Sequence, residues 1–226
     1  MLIGKKGYFC RPKIQTKLKS KKIYLIRHGQ TDYNLKKIVQ GSGIDAPLND
    51  TGKKQAESFY KSFQDIPFDK VYTSTLQRSI QSVEKFIEKG IPHQALSGLN
   101  EINWGTREGI EITPEEDAYY HDVIYQWQSG NITLRIEGGE SPQDVYDRQK
   151  EALEVILSQK DEEHVLICMH GRAMRVLLCQ MLNYPLHCMD LFSHSNLCMY
   201  KLVYTGEMFL IESFNDVKHL NGYCSS

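Results

Sequence analysis

Several things are missing from this chain, and each narrows what it is. No stretch approaches 18 consecutive apolar residues, which excludes a membrane-spanning helix. No period recurs, which excludes repeat arrays, coiled coils and collagen-like chains. The six cysteines form no Cys-x-x-Cys pair and no metal-ligand rhythm. At 226 residues a core needs no disulfide staples, so reduced thiols in a cytoplasmic protein are expected. The eight histidines offer no His-x-x-x-His spacing, so neither a metal nor another cofactor is expected. Net charge is also close to absent, at -1.

That small balance hides an asymmetry. Eight of the 27 cations lie in residues 1–22, where there is no acid, leaving 19 cations against 28 acids from residue 23 onward. An acidic body argues against a nucleic-acid-binding protein. Residues 1–22 read as a basic, solvated and mobile leader. They lack the apolar segment of a secretory signal. The expected partner is a small molecule, with no nucleic acid and no membrane. The chain is expected to be a monomer or a homodimer, the dimer forming through an edge strand near Cys198 to Tyr204.

Two continuous apolar runs stand out: Ile23-Tyr24-Leu25-Ile26 and Val165-Leu166-Ile167-Cys168-Met169. Such runs suit strands buried on both faces of a parallel sheet. A shorter strand is expected at Val71-Tyr72, another at His93 to Leu96, and a closing pair at Cys198 to Tyr204 and Met208 to Ile211. Helices are expected at 51–63, 75–88, 141–159 and 173–182. The third has a clear start, because Ser141-Pro142-Gln143-Asp144 combines a hydroxyl cap, an early proline and an acid three residues on. Strands alternating with helices imply an α/β three-layer sandwich. Its central sheet is mostly parallel, with helices on both faces. Residues 104–140 break the alternation and are expected to form a small cap over the carboxyl ends of the strands.

Ligands in such sheets bind beyond the carboxyl ends of the strands. The two strong strands end in Arg27-His28-Gly29 and His170-Gly171. A third ends in Thr73-Ser74-Thr75, with Arg78 one turn into the next helix. Two His and two Arg thus converge on one rim, and guanidinium groups match phosphate oxygens in a bidentate way. The helix after Gly171 is expected to add amide donors and its dipole. Gln30, Thr31 and Gln40 either touch substrate or pack the loop. His187 and His194 read as structural.

The ordered set Arg27-His28-Gly29-Gln30-Thr31-Asp32-Tyr33-Asn34, Ser74-Thr75-Leu76-Gln77-Arg78, Asn100-Glu101 and Met169-His170-Gly171 resembles the histidine phosphatase superfamily. That superfamily includes cofactor-dependent phosphoglycerate mutases, fructose-2,6-bisphosphatases and α-ribazole phosphatases. The resemblance covers about residues 23–220. Gly41 to Gly52, Glu108-Gly109 and Gly138-Gly139-Glu140-Ser141 support it. It implies that residues 23–226 form one domain and that the chain is a hydrolase of the histidine acid phosphatase type. His28 would take the phosphoryl group. Arg27, Arg78 and His170 would hold its oxygens, with Asn34 and Gly171 assisting. Glu101 would protonate the leaving oxygen and later activate water. Phosphoryl transfer asks mainly for positioning and charge stabilisation, which such a cast supplies without a metal.

The cap segment carries eight acids but only two cations, Arg107 and Arg135. Family mutases carry Glu-Arg-His-Tyr-Gly and a cap Arg pair. This chain has Glu101-Ile102-Asn103-Trp104-Gly105 and no such pair. An acidic cap would repel a doubly anionic substrate. A phosphatase acting on an ester with an apolar or ring-bearing leaving group, such as α-ribazole phosphate, is therefore expected. Two rivals stand beside it. A mutase would need Arg or Lys reaching the pocket from outside residues 104–140. A non-catalytic phospholigand-binding protein would not need Glu101.

Overall fold

Successive residues of the apolar runs face two different cores, and the sheet forms between them. A computed structural model describes residues 20–111 and 113–220; residues 1–19 of the expected leader lie outside the described residues. Strand β1 (Lys21–Arg27) lies at the centre. Around it run β2 (Lys70–Thr73), β3 (His93–Ala95), β4 (His164–Met169), β5 (Met199–Tyr204) and β6 (Phe209–Asp216). Their order is β3-β2-β4-β1-β5-β6. The β3–β2, β2–β4 and β4–β1 pairs are parallel, whereas β5 pairs antiparallel with both β1 and β6. The sheet is thus mixed and mostly parallel.

Ile23, Leu25, Val165, Ile167 and Met169 point to one face. There they meet α5 (Pro142–Ser158), α6 (Gly171–Leu182) and the deepest residues of α4 (Pro114–Gln128), namely Val123, Ile124 and Trp127. Tyr24, Ile26, Leu166 and Cys168 point to the other face. They pack on Phe59 of α2 (Asp50–Phe63) and on Val83 and Phe86 of α3 (Gln77–Glu88). Helices therefore cover both faces, as expected of a three-layer sandwich.

Some boundaries differ from the sequence reading for identifiable reasons. Strand β1 begins at Lys21, so the last two leader cations belong to the sheet. Lys21 is buried, and its ammonium donates to Ile156 O and Gln159 O at 2.6 and 2.9 Å, completing the C-terminal end of α5. Helix α3 starts at Gln77 because Thr75 is held out of it: its N–H and Oγ1 both donate to Asn100 Oδ1 at 2.9 Å. Residues 104–140, read as irregular, contain the 15-residue α4, capped by Thr113 with Pro114 at its start. Its apolar stripe is too thin to show as a period. Strand β5 is flanked by β1 and β6, so the edge expected near Cys198 to Tyr204 is not free; β6 forms that edge instead. Among the described residues no helix is long and apolar enough to cross a membrane.

Candidate active site

Register brings three strand ends to one rim. Arg27 pairs with Met169 and Thr73 with Cys168. The next residues continue the ladder: His28 N–H donates to Met169 O at 2.9 Å, and Ser74 N–H to Cys168 O at 3.2 Å. His28, Ser74 and His170 consequently stand side by side. The rings of His28 and His170 lie with centroids 5.1 Å apart.

Partners assign the tautomers of both rings. His28 Nδ1 lies 2.7 Å from Gly29 O, and a carbonyl only accepts, so Nδ1 carries the proton and Nε2 the lone pair. Burial first, then the charges of Arg78 and Arg27, hold the His28 pKa well below the usual imidazole value. His28 is therefore neutral. His170 Nδ1 accepts from Arg78 Nε at 3.1 Å, which leaves the proton on Nε2 for Ser74 Oγ at 2.7 Å. Burial, followed by Arg78, keeps this ring neutral too. Both His170 nitrogens are thus occupied by the protein. The ring orients Arg78 here and does not offer a free nitrogen to a ligand.

Arg78 is fully buried and rigidly placed. Besides His170, it donates through Nη1 to Ile44 O at 2.7 Å and through Nη2 to Gly41 O at 3.1 Å. Burial lowers its pKa to about 10, so it stays charged. Arg27 donates from Nη1 to His194 Nδ1 at 3.2 Å. Gly171 permits that contact, because a Cβ there would stand 2.7 Å from the His194 ring. Burial and the neighbouring arginines push the His194 pKa down to about 2. His194, read as structural, is in fact part of the cleft.

Glu101 is buried at the start of α6. Oε1 accepts from Ile102 N–H and Ala173 N–H at 2.9 and 2.8 Å, and Oε2 from Arg172 N–H at 3.2 Å. The carboxylate thus takes two of the first-turn amides that were expected to meet the ligand directly. Its field reaches both Arg27 and Arg78, favouring their charged forms.

A cleft of about 370 Å³ opens beside these groups; Arg27, Glu101 and His194 line it, whereas His28, Arg78 and His170 do not. Arg27, Asn34, Gln40, Glu101, Gly171 and His194 line it from outside the cap segment. Trp104, Arg107, Glu116, Tyr119 and Tyr120 line it from the cap segment, and Arg172 and Arg175 from α6. Three buried N–H donors on these lining residues have no partner: Arg27 Nε, Gln40 Nε2 and Arg107 Nε. Asn34 accepts from Asn196 Nδ2 at 3.1 Å, and Asn196 also reaches His28 O at 3.1 Å. No signal in the sequence marks Asn196. Thr31 lies apart from the cleft. It is buried, caps α1 (Asp32–Leu35) and donates to Gln40 Oε1 at 2.8 Å, so it packs the loop.

The cleft corrects the charge argument. Four arginines line it against three acids, Glu101, Glu116 and Asp117. Most cap acids face solvent, including Glu111, Glu115, Asp122 and Glu137. Glu116 is tied to Arg107 Nη1 at 2.6 Å. Arg172 and Arg175 share Asp190 on the far side, Arg172 at 2.5 Å. These two cations reach the cleft from outside residues 104–140, the feature that a substrate with a second anion requires. Among the described residues, no three His, Cys, Asp or Glu side chains gather as a metal site.

Comparison with known proteins agrees with this geometry. Residues 23–217 match the family described as the histidine phosphatase superfamily, branch 1. A broad-specificity phosphatase of Saccharomyces cerevisiae is 30% identical over 210 residues, covering 88% of this chain and 87% of the relative. The "Probable phosphoglycerate mutase" of Salmonella choleraesuis is 28% identical over 208 residues, covering 88% and 94%. The solved structure of Bacillus stearothermophilus YhfR superposes with a TM-score of 0.76 at 27% identity, covering 88% of this chain and 99% of that one.

Proposed function

The chain belongs to the histidine phosphatase superfamily, whose members are phosphatases and mutase-like enzymes, and on that premise we propose that it hydrolyses small phosphate monoesters in the cytoplasm without a metal. The observation that carries this reading is the set of three unpartnered buried donors on residues that line the cleft, together with a neutral His28. An anion with several acceptor oxygens satisfies such donors, and a neutral imidazole with a bare Nε2 is ready to attack it.

In the first step the Nε2 lone pair of His28 attacks phosphorus, and the P–O bond to the leaving group breaks. For this step Glu101 must enter in its protonated form, and it delivers that proton to the departing oxygen. In the second step water attacks the phosphohistidine, Glu101 takes the water proton, and the P–N bond breaks with its electrons returning to Nε2. Arg27 and Arg78 hold the equatorial oxygens throughout, supplying the positive charge the transition state needs. His170 contributes by orienting Arg78. The test is turnover of p-nitrophenyl phosphate with EDTA present. Wild-type activity is expected to persist in EDTA, and His28→Ala is expected to lose about 10⁴-fold or more. Activity at the wild-type level in the variant overturns the reading.

The same cleft supports a substrate that carries a second anionic group, met by Arg172 and Arg175. These arginines also favour a second reading, mutase-type transfer between two positions of one substrate. Incubation with 3-phosphoglycerate and a bisphosphorylated primer separates the two. Release of inorganic phosphate supports hydrolysis, and a positional isomer without phosphate release supports transfer.

A further inference from the structure

The Gly138–Ser141 motif takes no part in the phosphoryl site, yet it reaches the residue proposed as proton donor. Glu140 N–H donates to Asn103 O at 2.8 Å, and Glu140 Oε2 accepts from Asn103 N–H at 2.9 Å. This two-way clamp sits two residues past Glu101. It needs a glycine beside it, because a Cβ on Gly139 would stand 2.5 Å from Asn103 O. The Glu140 carboxylate also accepts from Arg148, Nε to Oε1 at 2.8 Å and Nη2 to Oε2 at 3.1 Å. Arg148 then donates to two backbone carbonyls, Gly98 O through Nη1 at 2.8 Å and Glu101 O through Nη2 at 2.9 Å.

We propose that Arg148, held in place by Glu140, is a positioning residue for the Glu101 carboxyl. The inference rests on the reading of Glu101 as proton donor. Glu101 is gripped at both ends. Its carboxylate meets the first-turn amides of α6, and its own carbonyl meets Arg148. With both ends fixed, the side chain has no slack along the line to the leaving oxygen. Misplacement by about 1 Å at such a site costs about 10²-fold in rate. The outer side of the clamp borders a cavity of about 420 Å³ lined by Arg148, Glu140 and Glu101, so shortening Arg148 does not leave a dry void.

The test compares kcat/KM for two substrates, which reports the steps up to transfer of the phosphoryl group to His28. The p-nitrophenolate leaves without a proton, whereas the alkoxide of butyl phosphate needs one. Glu101→Gln is expected to lower the butyl-to-aryl ratio of kcat/KM by about 10²-fold or more. Arg148→Met is expected to lower the same ratio by about 10-fold or more, and Glu140→Gln by less in the same direction. Equal losses on both substrates in Arg148→Met, beside a lowered ratio in Glu101→Gln, overturn the positioning role. A ratio unmoved by Glu101→Gln overturns the reading of Glu101 itself. If Arg148→Met fails to fold by circular dichroism, Glu140→Gln decides, and an unmoved ratio in that variant overturns the proposal.

Discussion

The floor and the wall of the cleft are built differently. What we call the floor is the layer of His28, Ser74, Arg78 and His170; it stands at or just beyond the ends of β1, β2 and β4, and none of the four is among the residues that line the cleft. It is buried, and every group has a fixed partner: Gly29 O for His28, and Ile44 O, Gly41 O and His170 Nδ1 for Arg78. The wall consists of the cap segment with Arg172, Arg175 and His194. Its contacts are mostly between side chains. Arg107 lies over the Tyr119 ring at 4.2 Å and pairs with Glu116, Arg172 donates to Tyr120 Oη at 2.9 Å, and Trp104 lies 5.4 Å from Tyr120 ring to ring. Backbone register sets the floor, so under the proposed function its chemistry would be common to any ester. The wall is set by exchangeable side chains, so under the proposed function it is the part that would select the ester.

The largest effect expected from this division is on the floor. On the proposed mechanism, Arg78→Met removes a charge from the equatorial oxygens; it also unpairs the buried Gly41 carbonyl, the half-buried Ile44 carbonyl and His170 Nδ1. Loss of one such stabilising group costs about 10³-fold in turnover. The unpaired groups cost about 1–3 kcal/mol each in stability, read by denaturant unfolding. The loss in turnover is expected to be similar for mono- and doubly anionic substrates. A loss that tracks the substrate's second charge breaks the distinction between floor and wall.

A smaller and more selective effect belongs to the wall. Arg172→Met keeps the backbone N–H that meets Glu101 but removes a cation from the cleft. It is expected to lower kcat/KM for a phosphoglycerate about 10-fold more than for p-nitrophenyl phosphate, which is about 1.4 kcal/mol. Asp190→Asn moves the same ratio in the opposite direction, since Asp190 is the anion the two arginines now share. Parallel changes on both substrates would remove the second-anion subsite.

The floor is also the part that is legible in the sequence. His28 and His170 each follow a buried apolar run, and a parallel sheet carries the ends of such runs to one rim. Arg78 follows from the helix behind the third strand end. The wall resists reading for physical reasons. Charge counted by segment makes the cap acidic, but the count ignores that most of its acids face water. Arg172 lies before the predicted start of α6 and Arg175 within its first turns, so neither is marked as lining a pocket. His194 and Asn196 come from a loop before β5 and reach the site through tertiary packing, for which no local pattern exists. The elements themselves were readable to within two residues at most ends, apart from α4 and the length of β6.

The last effect joins the two regions and is read in stability, with no change in turnover required. His28 and His170 in the floor and His194 in the wall are all held neutral by burial, their pKa values below the ordinary imidazole value. In the unfolded chain each binds a proton near pH 6.5. Above that pH both states are neutral, and these groups leave stability unchanged with pH. Below it the unfolded state gains protons that the folded state refuses, so stability falls, by at most about 1.4 kcal/mol per pH unit for each ring. For His194 the window runs from about 6.5 down to about 2. His194→Gln is therefore expected to make the folding free energy less steep in pH by up to one proton between pH 6 and 4, measured by urea unfolding at each pH. A slope equal to that of the wild type would mean that His194 titrates in the folded protein, and that the wall is wetter than the floor it adjoins.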